Sequence, residues 1–155
     1  MSKVYSLHTE QFIPISLQEA CDFFSSPANL AKITPEKMGF NIISKYHGAK
    51  MYPGQIIEYV VKPVMGIPNK WVTEITHVVE NNFFVDEQRF GPYALWHHKH
   101  FLKEIQGGVE MEDLIHYKVP FGIIGQLVNP ILVRPKLEEI FEFRRKKLIE
   151  LFGEF

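Results

Sequence analysis

From Lys3 to Phe12 the side chains alternate, with Val4, Ser6, His8, Glu10 and Phe12 on one side and Tyr5, Leu7, Thr9 and Gln11 on the other. A period of two predicts a strand, which Pro14 ends. Ser16-Leu17-Gln18-Glu19 has the form of a capping box, with Ser16 as N-cap and Glu19 at the third helical position. Leu17, Ala20, Cys21 and Phe24 then recur at helical spacing, so a short helix is predicted here. Ser25-Ser26-Pro27 breaks it, and Ala28 to Lys32 allows one further helical turn before Thr34-Pro35. Alternating segments follow as far as Pro120: Phe40 to Tyr46, Gln55 to Val64, Lys70 to Val79, Phe83 to Phe90, Leu95 to Ile105 and Val109 to Val119. Turn signals separate them at Pro53-Gly54, Met65-Gly66-Ile67-Pro68, Glu80-Asn81-Asn82, Gly91-Pro92-Tyr93 and Gly107-Gly108. With the first segment this predicts a meander of about seven strands. Past Pro120-Phe121-Gly122 the period becomes helical, through Leu137, Ile140, Phe141, Arg144, Leu148, Leu151 and Phe152. Pro130 and Pro135 each remove a backbone donor and crowd the preceding turn, which predicts a kink or a break between Asn129 and Leu137.

This order of elements implies an α+β fold in which a curved antiparallel sheet has one face to cover. The last helix has the only apolar stripe long enough to cover it. A helix gripped by a curved sheet leaves a gap, and concave apolar gaps with a few convergent polar groups are the default ligand sites. At 155 residues, with 46% apolar and 23% charged side chains, the chain reads as one domain spanning 1–155. Seventeen Lys+Arg against eighteen Asp+Glu leave a charge of −1, and no basic stripe extends beyond Arg144 to Lys147, which disfavours nucleic acid as a partner. No apolar run approaches a membrane span, and Met1-Ser2-Lys3-Val4-Tyr5 has no signal-peptide core, so a cytoplasmic location is expected. Cys21 is the sole cysteine. It reads as a small buried apolar side chain, and no disulfide or cysteine-based zinc site is expected.

Strand parity gathers the candidate chemistry. Trp96, His98, His100 and Leu102 share one face, as do Phe84, Asp86, Gln88 and Phe90, then Trp71, Thr73 and Ile75, and then Met111, Asp113, Ile115 and Tyr117. If these are the inward faces, Asp86, Gln88, His98, His100 and Asp113 form a polar cluster on an apolar floor. Such a cluster can be an internally satisfied network that fixes register, or a set of ligand contacts. It can also be a metal site of His98 and His100 with Asp86 or Asp113, or an acid–base pair of a histidine oriented by Asp113 or Asp86. Neither spacing is diagnostic of a metal, and no metal or other cofactor is expected. An ionised Asp113 on the inward face needs a partner, and His98, His100 and Arg144 are the candidates. Arg144 either packs its stem while its head reaches water or turns inward to a carboxylate or an anionic ligand. Phosphate loops, HExxH and GxSxG are absent.

Ser25-Ser26-Pro27-Ala28-Asn29-Leu30, Ile33-Thr34-Pro35, Val85-Asp86-Glu87-Gln88, Gly91-Pro92-Tyr93, Leu95-Trp96-His97-His98-Lys99-His100 and Met111-Glu112-Asp113 resemble motifs of the START/Bet v1-like superfamily, also called SRPBCC or helix-grip. Pro120-Phe121-Gly122 and Ile140-Phe141-Glu142-Phe143-Arg144 fit as well, within a bacterial branch of uncharacterised ligand-binding domains. The resemblance covers the whole length. Pro130 and Pro135 depart from it, because that stretch is uninterrupted helix in the family.

The resemblance implies a helix-grip fold, with a seven-stranded sheet, two short helices after the first strand and a long C-terminal helix across the concave face. It also implies binding of a small hydrophobic or amphipathic molecule, such as a lipid, an isoprenoid or a polyketide-like aromatic. The residues expected around the ligand are Trp71, Thr73, Phe84, Asp86, Gln88 and Trp96, with His98, His100, Asp113, Tyr117, Phe141 and Arg144. Some members of the branch are joined to nucleotide-sugar epimerase-like domains, so such a domain is a candidate partner. The alternatives are a polyketide cyclase/dehydratase-type enzyme with His98 or His100 as the base and Asp113 or Asp86 behind it, and a protein–protein interaction module.

Overall fold

A computed structural model describes residues 3–45, 50–62 and 66–155. Seven antiparallel strands form one sheet: β1 Tyr5–Ile13, β2 Asn41–Ile42, β3 Gln55–Val61, β4 Asn69–Val79, β5 Phe83–Phe90, β6 Leu95–Ile105 and β7 Gly108–Lys118. Their order is β1-β7-β6-β5-β4-β3-β2, so the segment after β1 carries the chain from one edge of the sheet to the other. That segment contains α1 Leu17–Phe24 and α2 Pro27–Lys32, followed by a 3-10 turn at Glu36–Met38. The capping box is formed: Glu19 N donates to Ser16 Oγ at 3.2 Å, and Ser16 N donates to Glu19 Oε2 at 2.9 Å. Gly122–Val128 form α3 and Arg134–Phe152 form α4.

Some expectations are corrected. Phe83 to Phe90 and Leu95 to Ile105 stand as predicted, whereas the strand predicted over Phe40 to Tyr46 is two residues long. Ile43 N and Ser44 N both turn to Glu58 O, at 2.8 and 3.3 Å, and a carbonyl shared in this way ends the ladder. The predicted strand ends at Tyr46 and Val64, and Met65 of a predicted turn, lie outside the described residues. Of the kink or break predicted between Asn129 and Leu137, the break does not occur. A π-helical turn over Asn129–Val133 joins α3 to α4, with Arg134 N bonded to Asn129 O, and this wider turn accommodates the prolines without ending the helix. Phe90 does not share the inward face of Phe84 and Asp86. Thr73 pairs with Gln88 but Val72 pairs with Phe90, so Arg89 is an extra residue that flips Phe90 outward, where it is 65% exposed.

The core has two apolar clusters. One joins Ile57, Tyr59, Trp71, Trp96, Ile115 and Tyr117 to Leu137 and Phe141 of α4. The other joins Ala20, Cys21 and Phe24 of α1 to Phe84, Leu102, Met111 and Leu148. Along β6, His98 and His100 fall between Trp96 and Leu102; along β7, Asp113 falls between Met111 and Ile115; along α4, Arg144 falls between Phe141 and Leu148. Each element therefore contributes polar residues where it passes from one cluster to the other. Elsewhere α3 leaves Phe121, Ile123, Ile124 and Leu127 exposed, with Phe121 80% exposed on left-handed backbone at φ 69°. Among the described residues no helix is long and apolar enough to cross a membrane.

Candidate functional site

Cross-strand register assembles the polar layer. Asp86 of β5 stands opposite His98 of β6, and His100 stands opposite Asp113 of β7. Since the strands alternate, all four point to the face that α4 covers, and Arg144 meets them from above. The partner predicted for Asp113 is found. His98 Nε2 and His100 Nδ1 both lie 2.8 Å from Asp113 Oδ1, and Arg144 Nη1 lies 3.8 Å from Oδ2. On the other side His100 Nε2 is 2.7 Å from Asp86 Oδ2, whereas His98 Nδ1 is 3.6 Å from the same oxygen, beyond hydrogen-bond range.

These contacts set the protonation states. His100 faces a carboxylate with each ring nitrogen and satisfies both only by donating from both, as imidazolium. Burial disfavours that charge, but hydrogen bonds to Asp113 and Asp86 outweigh it and raise the His100 pKa. His98 goes the other way, because burial and then the neighbouring charge of His100 lower its pKa and keep it neutral. Burial would also raise Asp113, yet the hydrogen bonds from His100 and His98 hold it well below the usual carboxylate range. Burial would raise Asp86 as well, but the hydrogen bond from His100 and the nearby positive charges of His100 and Arg144 lower it, more weakly. With His100 and Arg144 positive, Asp86 and Asp113 negative and His98 neutral, the layer carries no net charge.

Arg144 corrects the reading in which its head reaches water. It is 8% exposed and its guanidinium lies over the Phe141 ring at 4.7 Å. Turned inward, it faces the buried Asp113 carboxylate, a charge that is costly to leave without a cation. Arg144 Nε has no partner among the described residues.

Beside this layer lies a cavity of about 150 Å³ between the sheet, α1–α2 and α4. Trp71, Thr73, Phe84, Asp86, Trp96, His98, His100, Phe141 and Arg144 line it, as expected from parity and the helical stripe. Gln88, Asp113 and Tyr117 do not. Gln88 spends its amide on the backbone of Tyr93, donating to Tyr93 O at 2.7 Å and accepting from Tyr93 N at 3.1 Å. Asp113 sits behind the two histidines, and the Tyr117 ring stacks on Tyr5 at 5.6 Å. Phe24, Tyr59, Tyr93 and Ile140 line the cavity without having been picked out. Alternation in Gln55 to Val61 carries the signal for Tyr59, since Ile57 and Val61 share its buried face. Tyr93 sits in a turn, and the Gln88 clamp together with ring contacts to Trp71 and Trp96 holds it at the wall. Trp71 stacks on Tyr59 at 5.9 Å and meets Trp96 edge-on at 5.3 Å, while its Nε1 is buried without a partner among the described residues. Among those residues Asp86, His98 and His100 also form a group whose ligand atoms lie within 4.8 Å of one another.

No family model matches the sequence, and no curated protein matches it. Solved structures do. A protein of Chromobacterium violaceum superposes with a TM-score of 0.72 at 14% identity, over 97% of this chain and 99% of that one. A point mutant of norcoclaurine synthase from Thalictrum flavum, in complex with a transition-state analogue, gives 0.66 at 15% identity over 97% of each chain. A nucleoside-diphosphate sugar epimerase from Corynebacterium glutamicum gives 0.63 at 18% identity, over 93% of this chain and 28% of that one. The likeness is one of fold, and the class is α+β helix-grip. In particular, this chain has the START/Bet v1-like (SRPBCC) fold.

Proposed function

We propose that the chain, as a single cytoplasmic domain over residues 1–155, binds a small hydrophobic or amphipathic molecule between the sheet and α4. The observation that carries this reading is Trp71: a buried indole N–H with no partner among the described residues, in the wall of an aromatic cavity. A buried donor left unpaired costs about 1–3 kcal/mol, which an acceptor on a ligand would recover. Apolar burial supplies affinity, at about 25 cal/mol per Å² removed from water, and the polar layer orients the polar end. About 150 Å³ accommodates one aromatic ring or the end of an isoprenoid, so of the lipid, isoprenoid and polyketide-like classes a ring with an acceptor substituent fits best. Trp71, Thr73, Phe84, Trp96 and Phe141 would form the apolar contacts, and Asp86, His98, His100 and Arg144 the polar ones. Gln88, Asp113 and Tyr117 would support these from behind. Native mass spectrometry and thermal-shift screens against phenols, isoprenoids and fatty acids test the reading. A chain that carries none of them and shows no shift with any class ends it.

A second reading, an acid–base enzyme of the cyclase/dehydratase type, draws on His98, a neutral imidazole oriented by Asp113 in the cavity wall. Its test is turnover of a polyketide-like substrate that disappears in His98→Gln without loss of binding. The interaction-module reading draws on residues 119–133, which carry no charged side chain and expose Phe121, Ile123 and Ile124. A second copy of this chain is the partner that it names, and Ile124→Asp should then abolish concentration-dependent association in sedimentation. Because the fold recurs within an epimerase chain, an epimerase-like domain is a further partner to seek by co-purification.

A further inference from the structure

His98 and His100 treat their two carboxylate neighbours in the same way. Each directs one ring nitrogen to Asp113 Oδ1 at 2.8 Å and the other toward Asp86 Oδ2, at 3.6 Å for His98 Nδ1 and 2.7 Å for His100 Nε2. A histidine that ligates a metal nearly always donates its other N–H to a carboxylate, which fixes the tautomer and turns the remaining lone pair to the ion. Asp113 does this for both rings at once. An internal network needs no such arrangement, and it leaves His98 Nδ1 facing a carboxylate too far away to bond.

The geometry points to a binding site for one divalent transition-metal ion, with Asp86 Oδ2, His98 Nδ1 and His100 Nε2 as ligands and the remaining position open to the cavity. Ligand atoms on a four-coordinate ion with bonds of about 2.0–2.1 Å lie about 3.3 Å apart. The two contacts of Asp86 Oδ2, at 2.7 and 3.6 Å, straddle that value, and the two ring nitrogens lie within 4.8 Å of each other, so rotation of the carboxylate and the rings has to close the set on the ion. The ion takes the place of the proton between His100 and Asp86. Two imidazoles and one carboxylate suit zinc, cobalt, nickel or iron(II) rather than calcium or magnesium. Phe84, stacked on His100 at 4.1 Å, and Trp96 and Phe141, edge-on to His98 at 6.0 and 5.9 Å, keep the surroundings dry.

Charge then specifies the fourth ligand. Asp86, Asp113 and Arg144 sum to −1, so a doubly charged ion leaves the layer at +1. An anionic oxygen at the open position, as hydroxide, phenolate or carboxylate, restores neutrality. The site stands apart from the apolar-ligand reading, because the ion can be titrated with no organic molecule present.

Cobalt(II) chloride added to the full chelator-treated chain is the test, followed by equilibrium dialysis and visible absorption. The expected result is one cobalt per chain with the strong d–d bands of a four- or five-coordinate ion, displaced by zinc. Asp86→Asn and His98→Gln should lose the bands, whereas His97→Gln, on the opposite face of β6, should keep them. Asp113→Asn should bind about 10–100-fold more weakly, since it still accepts a hydrogen bond but no longer holds the rings with a charge. Should the buried variants fail to fold, paramagnetic broadening in the wild-type chain places the ion, and the Phe84 and Trp96 ring protons should broaden first. Absence of stoichiometric cobalt in the wild type, binding that survives both ligand substitutions, or broadening centred elsewhere would overturn the site.

Discussion

His100 and Asp113 are direct cross-strand partners on β6 and β7, and Nδ1 of one meets Oδ1 of the other at 2.8 Å in the middle of the grip. That contact favours the imidazolium form of His100 within the layer that separates the two apolar clusters. Asp113 is 5% exposed, so its removal leaves the His100 imidazolium and Arg144 underpaired. Asp113→Ala should destabilise by about 3–5 kcal/mol. Asp113→Asn should cost less, because the amide oxygen still accepts from both histidines. Urea unfolding of the variants measures both, and an Ala variant within about 0.5 kcal/mol of wild type would show that the network contributes nothing.

The two histidines make opposite contributions to the pH dependence of the metal-free protein. His100 is raised above its ordinary value of 6.5, so its stabilisation is complete below that value and is lost as pH rises through the folded pKa. His98 is lowered from 6.5, so the unfolded chain takes up its proton first, and stability falls as pH drops below 6.5. Asp113 and Asp86, lowered from 3.8, add a further loss as pH falls through their folded values. Stability should therefore peak near pH 6.5, and His100→Gln should flatten the alkaline limb and also shrink the acid limb, because His100 helps to lower His98, Asp113 and Asp86. Chemical unfolding in chelator across the range from acid to alkaline pH checks this, and a monotonic profile would contradict the assigned states.

Trp71→Phe removes the unpaired indole donor and part of the ring. The lost burial and the relief of an unsatisfied N–H oppose each other, each being on the order of 1–3 kcal/mol, so the free protein should change little in stability. The thermal shift produced by a phenolic ligand should shrink in this variant, while that of an unsubstituted aromatic should not. Equal shrinkage for both would mean that the indole N–H makes no ligand contact.

Gln88→Ala cuts both bonds to the Tyr93 backbone. Loss of the clamp should cost about 1–3 kcal/mol and release Tyr93 from the cavity wall. Faster amide exchange confined to the β5–β6 turn, with weaker binding of every ligand class, is the expected pattern. Unchanged exchange at Tyr93 would return Gln88 to a different role.

Alternation and turn chemistry determined most of this protein by themselves. A strand has only two faces, so Trp96, His98, His100 and Leu102 had to share one, and the Ser16–Glu19 box had to start a helix. The inward polar cluster and the need of Asp113 for a cation follow from that periodicity and from the cost of a buried charge. What the sequence leaves open is where one element stops and which neighbour it meets. An extra residue at Arg89 turned Phe90 outward, a shared Glu58 carbonyl cut β2 short, and a π turn carried the helix across Pro130 and Pro135. Those outcomes depend on the strand or turn alongside, not on local preference. The same holds for the inward Arg144, the clamp on Tyr93 and the convergence of both histidines on one oxygen of Asp113. Side chains from three strands and a helix become neighbours only when the sheet curls around α4, and no spacing along the chain encodes those distances.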